Sequence, residues 1–433
     1  MRVLLVTHRF PPDGVGGVER YVERLAAGLT AAGDEVTVLA RQPRRFPRRP
    51  ALTRDADAWR ITGSGVRLEE FLVGSERTEQ LFSEVCNEVD PEVVHVHHLI
   101  GISPRIVTLA QRRGAAVAWS LHDYYAPCPL VHLVKRSGEI CAGPDEGEEC
   151  ARTCFAAGAA PSQRWPVRYR YFSAVLGAVE SVLCPTEQLA QWALLMQPAA
   201  RVTRLPLGVT VPAAELRPSS ESRESRESSL RITYLGTVAQ HKGVLTLAEA
   251  IAAVAADVAL TVAGRLDDPS LQAEVDRRSN GRVRWLGEYG SDDLPRLFSE
   301  TDVLVAPSQV PEGFPLAPRE ALAHGVPVIG SRLPGLDDVV VHGRNGLLVD
   351  PRDVAGFATA IEAVACDRQL LGRLTQGAKQ TDIGSLQEHV VELRAHYRHL
   401  RSGSVRPEER LLELERCHAD ALAAGFGRRW VSG

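Results

Sequence analysis

Short apolar runs alternate with helix-length amphipathic segments along most of the chain. The first run, RVLLVT, is followed by a Pro/Gly loop and by GVERYVERLAAGLTAAG, whose apolar residues from Val18 to Leu29 recur at helical spacing. This pattern predicts a strand and a helix joined by a loop, with Gly33 ending the helix. EVTVLA, PEVVHVHH, AAVAWSLHD and SVLCPTEQLAQWALL continue the alternation. Apolar strands separated by helices are typical of a parallel sheet covered by helices on both faces.

The alternation stops at one polar segment and then resumes. AAELRPSSESRESRESS, between Pro212 and Leu230, has no apolar period, which indicates a linker or a surface loop. Beyond it, LRITYLG, VALTVAG, VRWLG, DVLVAPS and GVPVIGS are again strand-like. The sequence therefore predicts an α/β protein of two doubly wound, Rossmann-like domains that face a cleft, with ligands at the carboxyl ends of the strands. The predicted segments are an N-terminal domain over 1–208, a linker or loop over 209–230, a C-terminal domain over 231–384, and helices over 385–433 that pack back on the N-terminal domain.

Composition narrows the class of partner. The 433 residues carry a net charge of -4, with 44% hydrophobic and 24% charged residues, values near those of soluble globular proteins. Such a chain has no general attraction for nucleic acid, and none is predicted as a partner. The first residues lack the apolar core of a signal peptide, and no apolar stretch is long enough to span a membrane. We therefore expect a cytoplasmic protein whose cysteines are reduced, metal-bound or buried.

One local cluster of positive charge departs from this average. RQPRRFPRRP and the residues after it place six arginines between Arg41 and Arg54, interleaved with proline and phenylalanine. Such a segment suits peripheral contact with anionic lipid headgroups at the inner membrane surface, or with an acidic acceptor. A solvated loop is the alternative, and composition does not separate the two.

The loop after the first strand is rich in glycine. Gly14, Gly16 and Gly17 stand directly before the predicted helix, where a backbone without side chains can approach a ligand closely. The N–H groups at a helix start attract an anion such as phosphate. Glycine-rich turns are also common for structural reasons alone, and the spacing here is not that of the G-x-G-x-x-G motif. These residues by themselves leave both interpretations open.

The corresponding turn of the second domain carries one of the few lysines in the chain. In YLGTVAQHKGVLTL, His241 and Lys242 precede Gly243 at a predicted helix start. A cation at a helix start beside the carboxyl edge of a sheet is well placed to contact phosphate. A solvated surface lysine is the alternative, but the position favours the phosphate contact.

Two glutamates, Glu312 and Glu320, flank a turn broken by proline and glycine in SQVPEGFPLAPREALAHGVPVIGS. The pattern predicts that Glu312 lies in the loop after a strand and that Glu320 lies at a helix start. Carboxylates at this edge of a sheet accept hydrogen bonds from the vicinal hydroxyls of a sugar or ribose. They are equally well explained as a solvated loop charge and an ordinary acid at a helix N-terminus.

Together these motifs resemble those of the family 4 glycosyltransferases. EGFPLAPREALAHGVPVIG resembles the E-x7-E signature of that family, GVGGVERYVERLAAGL its first glycine loop and helix, GTVAQHKGV its phosphate-binding turn, and SLHD its histidine site. The four motifs follow the order of the family over about residues 1 to 400. The resemblance implies the GT-B fold and a retaining transfer of a sugar from a UDP- or GDP-type nucleotide-diphosphate sugar. It also implies that no catalytic metal or other cofactor is needed.

The resemblance implies roles for particular residues around the nucleotide. Lys242, with His241 beside it, would neutralise the leaving diphosphate. The backbone N–H groups of Gly16 and Gly17 would contribute from the first domain, and Glu320 would hold the nucleotide ribose.

It likewise implies the contacts of the donor sugar. His122, in SLHD, would lie in the cleft near the anomeric carbon. Glu312 would contact the sugar together with the residues that follow it, namely Gly313, Phe314, Pro315 and Leu316.

The chain departs from the family pattern at one position. Members commonly have an arginine after the glycine of the phosphate turn, whereas Thr237 stands there in GTVAQHKG. One cationic contact is therefore in doubt, and Arg265 in VAGRLDD or His241 would have to take its place.

Several histidines end the predicted strands of the first domain. His97, His98 and His122 are expected to line the acceptor side of the cleft. His95 alternates out of phase with His98 along its strand, which places it in the core.

Four cysteines lie in an insertion, residues 126–160, directly after SLHD. A segment with so little apolar content needs a further constraint, and one structural Zn2+ would supply it. The paired C-x2-C knuckles of many zinc sites are missing, so disulfides and unlinked thiols stay open as alternatives. In each case we expect the insertion to shape the acceptor side. The cysteines are Cys128, Cys141, Cys150 and Cys154.

Two other functions share the predicted fold. A phosphorylase or sugar-phosphate synthase has the same architecture, although Lys379 has no convincing context for pyridoxal phosphate in a phosphorylase. A non-catalytic subunit that binds sugar nucleotides is the second alternative, and Thr237 is the feature that favours it. The residues do not identify the acceptor, whether saccharide, lipid-linked sugar or small molecule.

Overall fold

The chain forms two compact α/β units. A computed structural model describes residues 1–12, 16–43, 49–56, 58–63, 75–155, 163–211, 229–403 and 408–424. The N-terminal unit comprises Met1–Pro206 with the chain from Gln387 onward, and the second unit comprises Leu207–Leu386. The predicted linker lies mostly outside the described residues.

The N-terminal unit is built on an eight-stranded, mainly parallel sheet. Its strands are β1 (Arg2–Thr7), β2 (Glu35–Pro43), β3 (Ala51–Arg54), β4 (Trp59–Gly63), β5 (Val93–Val96), β6 (Ala116–Ser120), β7 (Ser181–Cys184) and β8 (Val202–Arg204). Their order is β3-β4-β2-β1-β5-β6-β7-β8, and β3 runs antiparallel to β4. The side chains of β1 from Val3 to Val6 are fully buried, as expected of a strand covered on both faces.

Amphipathic helices follow most of these strands. They are α1 (Gly17–Ala31), α2 (Glu76–Val89), α3 (Ile106–Arg112), α4 (Arg164–Ala178) and α5 (Glu187–Met196). In α1, Tyr21, Val22, Leu25 and Leu29 form the buried stripe that the sequence predicts. Ser75 begins α2 with a capping box, in which its side chain and that of Thr78 each accept from the other's backbone N–H.

The second unit is built on a six-stranded parallel sheet. Its strands are β9 (Leu230–Leu235), β10 (Val258–Ala263), β11 (Val283–Gly287), β12 (Val303–Ala306), β13 (Val328–Ser331) and β14 (Gly346–Val349). Their order is β11-β10-β9-β12-β13-β14. The helices are α6 (Val244–Ala253), α7 (Ser270–Arg278), α8 (Leu294–Ser299), α9 (Leu316–Ala323), α10 (Val354–Cys366) and α11 (Arg368–Lys379). The prediction of two parallel α/β sheets is therefore confirmed.

The last two helices, α12 (Leu386–Gly403) and α13 (Glu408–Ala423), pack on the N-terminal unit. Arg394 of α12 donates to the Asp34 carboxylate at 2.7 Å. Leu414 of α13 lies in the hydrophobic core of the N-terminal unit. Within the described ranges, none of the helices combines the length and apolar character that crossing a bilayer requires.

One arginine of the arginine-rich segment, Arg41, does not face solvent. Strand β2 extends beyond the apolar run, so Arg41 is buried in the sheet and donates to the Ile61 carbonyl at 2.8 Å. Arg54 of β3 pairs with Glu88 at 2.8 Å. Residues 44–48 of the segment lie outside the described residues. The prediction of a membrane contact was therefore wrong for the buried Arg41, and for Arg54, whose side chain is 61% exposed, it stays a prediction.

Both sheets reverse their strand order at one point. In the first sheet, β2, β4 and β3 lie on one side of β1, and β5 to β8 lie on its other side. In the second sheet β9 and β12 are neighbours, with β10 and β13 on their outer sides. Loops diverge from the carboxyl edge at such switch points, and this is where open α/β sheets bind ligands.

Candidate functional site

Lys242 and Glu312 meet at the switch point of the second sheet. Lys242 follows β9 and Glu312 follows the neighbouring strand β12. The Nζ atom of Lys242 lies 2.8 Å and 2.7 Å from the two carboxylate oxygens of Glu312. Burial raises the pKa of Glu312, but Lys242, Ser308 and His241 outweigh this and hold the pKa below its usual value. Glu312 is therefore ionised at neutral pH and shares one partly exposed site with the lysine.

The turn that carries Lys242 is held tightly against the loop that carries Glu312. Residues Gln240–Lys242 form one 3-10 turn, and Gly243 ends it with φ of 76° before α6 begins. A Cβ atom on Gly243 would lie 1.8 Å from the carbonyl oxygen of Pro307. The Gln309 N–H also donates to the His241 carbonyl at 2.8 Å. Gly243 thus provides both the left-handed backbone and the close approach.

Replacing Gly243 with alanine should destabilise the second unit by about 3 kcal/mol or more, because a left-handed alanine is combined with a backbone clash. Gly281 is the matched control, since it has φ of 73° but a Cβ atom added there would meet none of the described atoms within 4 Å. Gly281→Ala should cost only about 1–2 kcal/mol, the left-handed penalty alone. Thermal unfolding of both variants measures the difference in stability between them. Equal losses of stability would contradict the argument that the backbone clash adds to the cost at Gly243.

Glu312 is fixed by its backbone as well as by Lys242. Its N–H donates to the Pro334 carbonyl at 3.0 Å. Gly335 has φ of 87°, and a Cβ atom there would lie 2.2 Å from the Glu312 carbonyl oxygen. The loop after β13 therefore supports the loop after β12, and the Glu312 carboxylate is held in place before any ligand binds.

Glu320 lies in the second turn of α9, and its predicted position at the helix start was wrong. The helix begins at Leu316, directly after Pro315, and Pro318 lies in its first turn. Proline is tolerated there because the first N–H groups of a helix have no partner within it. Glu320 is buried. Burial is expected of a carboxylate that binds one specific group, and it is not expected of a solvated charge at a helix end.

An arginine that the sequence did not single out braces this loop. The guanidinium of Arg319 lies 3.7 Å from the centroid of the Phe314 ring. Arg319 also donates to the carbonyl oxygens of Pro315 and Gly335, at 3.1 Å and 3.3 Å. Arg319 therefore fixes the segment that lies between Glu312 and Glu320 in the chain. It directly precedes the second of these glutamates.

Thr237 and Arg265 occupy the adjoining loops of the same edge. The Val238 N–H donates to the Arg265 carbonyl at 2.8 Å, and the Tyr234 hydroxyl donates to the Thr237 carbonyl at 2.7 Å. The Arg265 side chain is partly exposed and lies 3.7 Å from the Asp267 carboxylate. Arg265 therefore lies, partly exposed, at the edge where family members commonly have the arginine that Thr237 replaces here.

Two histidine–carboxylate pairs lie at the switch point of the first sheet. His8 follows β1 and lies 3.3 Å from Glu19, while His98 follows β5 and lies 3.1 Å from Asp123. The two imidazole centroids are 4.3 Å apart. Burial raises the pKa of both carboxyls, but the neighbouring histidines and backbone N–H groups lower each pKa to about 2. Both carboxylates are therefore ionised at neutral pH.

Hydrogen bonds fix the tautomer of His98. Its Nδ1 accepts from the Ile100 N–H at 3.1 Å, so the ring proton resides on Nε2 and is donated to Asp123. Asp123 accepts a further bond from the Tyr125 N–H at 2.8 Å. Asp123 is thus held from two sides, directly after His122 in the chain.

His122 is buried in a group of rings behind these pairs. Its Nε2 lies 3.0 Å from Nδ1 of His97, and its ring centroid lies 5.3 Å from that of Tyr21. The Tyr21 hydroxyl lies 2.6 Å from Nε2 of His389 in α12. Burial is the main cause that lowers the pKa of His122 to about 3. His122 is consequently neutral at pH 7 and serves as a hydrogen-bonding group without charge. His95, as predicted, lies in the core.

The helix N-terminus predicted to bind diphosphate already holds a carboxylate of the chain. Gly16 is the N-cap of α1 and Gly17 is its first residue. A Cβ atom on Gly16 would lie 2.5 Å from a carboxylate oxygen of Glu19. The glycine is therefore explained by the approach of Glu19, and a phosphate would share this helix end with that carboxylate. Gly14 lies outside the described residues.

The predicted metal site is not preformed within the described ranges. In the part of the chain that the structure describes, no group of three His, Cys, Asp or Glu side chains is arranged to hold a metal ion. The cysteines of the insertion carry free thiols.

The structure brings the predicted residues together in two separate sets, one in each unit. His241, Lys242, Arg265, Glu312 and Glu320 belong to the second unit. The first unit carries Gly16, Gly17, His97, His98 and His122. Sequence reasoning did not single out four titratable residues around these sets, although three of them lie within motifs that it identified. They are Glu19, Asp123, Arg319 and His8.

Comparison with known proteins assigns both units to one class. The family model described as Glycosyltransferase Family 4 matches residues 15–211. The model described as Glycosyl transferases group 1 matches residues 229–367. The two matches together span most of the chain and follow the division into two units.

Individual relatives extend over nearly the whole chain. A glycogen synthase of Mycobacterium tuberculosis is 26% identical over 410 residues, which cover 88% of this chain and 90% of that protein. A sucrose-phosphate synthase from Thermosynechococcus elongatus superposes with a TM-score of 0.69 at 20% identity, covering 93% of this chain and 99% of the other. Anabaena HepE, solved in complex with UDP and glucose, has a TM-score of 0.63 at 14% identity, with 92% and 99% covered.

Proposed function

The chain belongs to the family 4 glycosyltransferases and has their GT-B fold, and we propose that it transfers a sugar from a nucleoside diphosphate sugar to a hydroxyl-bearing acceptor. The observation that carries the proposal is the contact of Lys242 with Glu312 at the switch point of the second sheet. A fixed cation and an ionised carboxylate stand there side by side, with the buried Glu320 eight positions further along the chain. A donor that combines a diphosphate with hydroxyl groups fits this set.

Each group has a chemical role in the proposed reaction. Breaking the bond between the anomeric carbon and the diphosphate oxygen leaves negative charge on the diphosphate, which Lys242 stabilises from a preorganised position. The partly exposed guanidinium of Arg265 is the second cation at this edge. Glu312 accepts hydrogen bonds from sugar hydroxyls, and Glu320 accepts them from the ribose. These cations supply the charge stabilisation, so we propose that no divalent metal is required.

Donor binding should rearrange the lysine–glutamate pair. In the chain alone, both oxygens of Glu312 are engaged by Nζ of Lys242. An arriving diphosphate competes for that ammonium group, and a released carboxylate oxygen becomes free to accept a sugar hydroxyl. Diphosphate and sugar binding are therefore coupled through one ion pair, and a free nucleotide lacking the sugar should bind less tightly than the donor.

The acceptor is proposed to bind at the edge of the first sheet. The His8–Glu19 and His98–Asp123 pairs offer ionised carboxylates and imidazole nitrogens, which are suited to hydroxyl groups. His122 contributes an uncharged imidazole beside them. Retention of the anomeric configuration is part of the proposal, and it is supported by the family resemblance of the four motifs.

The test is a panel of UDP-, GDP- and ADP-sugars incubated with the purified chain in EDTA. We expect one donor to raise the melting temperature and to release its nucleotide slowly by transfer to water. With an acceptor in hand, NMR of the first-formed product assigns the anomer. A failure of every donor to bind, or an absolute requirement for added metal ions, would overturn the proposal.

Replacing Glu320 with glutamine should raise the KM for the donor about 10- to 100-fold, because a charge-assisted hydrogen bond to a ribose hydroxyl contributes roughly 1.5–3 kcal/mol. We expect kcat to change much less, since the ribose is remote from the breaking bond. Glu300→Gln is the matched control, because Glu300 is an exposed carboxylate in the same unit that precedes β12. An unchanged KM in Glu320→Gln would remove the ribose contact from the proposal.

A further inference from the structure

His97 and His122 share one hydrogen bond between their imidazole rings. Nδ1 of His97 lies 3.0 Å from Nε2 of His122. The two residues follow neighbouring parallel strands, β5 and β6, and their ring centroids are 5.3 Å apart. The His97 N–H also donates to the Val6 carbonyl of β1 at 2.7 Å. The sheet therefore fixes the backbone of His97, and the pair is already formed in the chain alone.

Both rings of the pair are neutral at pH 7. Burial is the main cause that lowers the pKa of His122 to about 3, and it also lowers the pKa of His97 well below its ordinary value. Each neutral imidazole carries one proton, on Nδ1 or on Nε2, and the shared hydrogen bond uses one of these protons. The proton in that bond comes either from His97 or from His122.

The second nitrogen of His97 decides between these two arrangements. Nε2 of His97 is buried and has no hydrogen-bond partner among the described residues. The ring of His95 lies 4.0 Å away, but its Nδ1 is engaged by the Tyr397 hydroxyl at 2.6 Å and its Nε2 by the Ser120 hydroxyl at 2.8 Å. Buried N–H groups without a partner are rarer in proteins than buried acceptors without one. The proton of His97 is therefore on Nδ1, and Nε2 is the unprotonated nitrogen.

This arrangement determines which nitrogen of His122 is protonated. Because Nδ1–H of His97 donates to Nε2 of His122, the proton of His122 itself is on Nδ1. Within the described part of the chain, Nδ1 of His122 makes no hydrogen bond, so its N–H remains for a substrate. His122 is 8% exposed, whereas His97 is 1% exposed. His122 thus presents a donor, whereas the opposite tautomer would present a nitrogen that can take up a proton.

We propose that His97 is a positioning residue that holds His122 in the neutral Nδ1–H tautomer, so that His122 donates a hydrogen bond to an oxygen atom of the bound substrate. The inference rests on the proposed function, which assigns substrate hydroxyl groups to this edge of the first sheet. A nitrogen that already carries a proton cannot take up the proton of an attacking hydroxyl group. His122 therefore acts as an uncharged donor to a substrate oxygen, and it is not the general base of the transfer.

The first test observes the tautomer directly and needs no transfer activity. The full chain is labelled with 15N-histidine and its ring nitrogens are observed by NMR at pH 7, where protonated and unprotonated nitrogens have well separated 15N shifts. His122→Gln identifies the signals of His122 by their loss. We expect a protonated Nδ1 and an unprotonated Nε2 for His122 in the wild-type protein. The opposite assignment would overturn the proposal.

Variants of His97 test whether this residue sets the tautomer. His97→Phe keeps an aromatic ring but removes the hydrogen bond, so His122 should become a mixture of both tautomers. His97→Asn retains an N–H donor near the position of Nδ1 and should preserve the Nδ1–H form. Tyr397→Phe is the matched control, because it removes a buried hydroxyl from the neighbouring His95 and leaves the pair intact. A single Nδ1–H tautomer in His97→Phe would show that His97 does not set it.

Turnover of a donor tests what the tautomer does in the reaction. His122→Asn keeps an N–H donor near the position of Nδ1 but has no basic nitrogen, and it should retain kcat/KM within about fivefold of the parent. His122→Phe has no donor and should lower kcat/KM by about 20- to 100-fold. Equally large losses in both variants would overturn the donor role. Absence of turnover with every donor sugar would overturn the proposed function, whereas the tautomer is decided by the NMR measurement alone.

Discussion

Replacing Lys242 with alanine should lower kcat/KM for the donor by about 10²- to 10³-fold, the usual loss when one preorganised contact to a developing oxyanion is removed. Lys242 is positioned before binding by the turn over Pro307 and by both oxygens of Glu312. The loss should fall mainly on kcat, because negative charge on the diphosphate grows as the bond breaks. Initial rates of nucleotide release, measured over a range of donor concentrations, separate kcat from KM.

The control for this variant is another lysine of the same unit. Lys379 ends α11, away from the carboxyl edge, and Lys379→Ala removes the same charge. It should leave kcat/KM within about twofold of the parent. Combining Lys242→Ala with Glu312→Gln should cost less than the sum of the single effects, because the residues form one ion pair. Equal rates for Lys242→Ala and the parent would exclude Lys242 from the reaction.

The second unit was largely predictable from the sequence because its functional residues stand at the ends of apolar runs. Each run predicted a buried strand, and a glycine or proline after the run predicted the loop. Lys242 and Glu312 are 70 positions apart, yet both follow strands of one parallel sheet, so the pattern already placed them at one edge. Their direct contact was not predictable, because it depends on β9 and β12 being neighbours.

The first unit was less predictable because its site depends on strand order and on the last helices. His8 and His98 are adjacent only because β1 pairs with β5. His389 reaches Tyr21 from a helix that lies more than three hundred positions away in sequence. In both cases long-range packing decided the position, and local periodicity carries no information about it.

Lowering the pH from 6.5 to 5 should destabilise the N-terminal unit by about 3 kcal/mol through His122 and His389 alone. Burial is the main cause that lowers the pKa of His122 to about 3 and that of His389 to about 4. In the unfolded chain both rings take up protons near pH 6.5, whereas in the folded chain they stay neutral over this interval. The unfolded state therefore binds more protons, and each group removes up to about 1.4 kcal/mol of stability per pH unit.

Urea denaturation followed by tryptophan fluorescence measures this effect, since Trp59, Trp119, Trp165 and Trp192 lie in the N-terminal unit. The carboxylates do not mask it, because Glu19 and Asp123, with pKa values of about 2, stay ionised over the same interval. His389→Asn should reduce the pH slope by about one proton, since asparagine does not titrate. His399→Asn, at an exposed position of the same helix, is the control substitution. A free energy of unfolding that is equal at pH 6.5 and pH 5 would show that these imidazoles do not stay neutral in the folded unit.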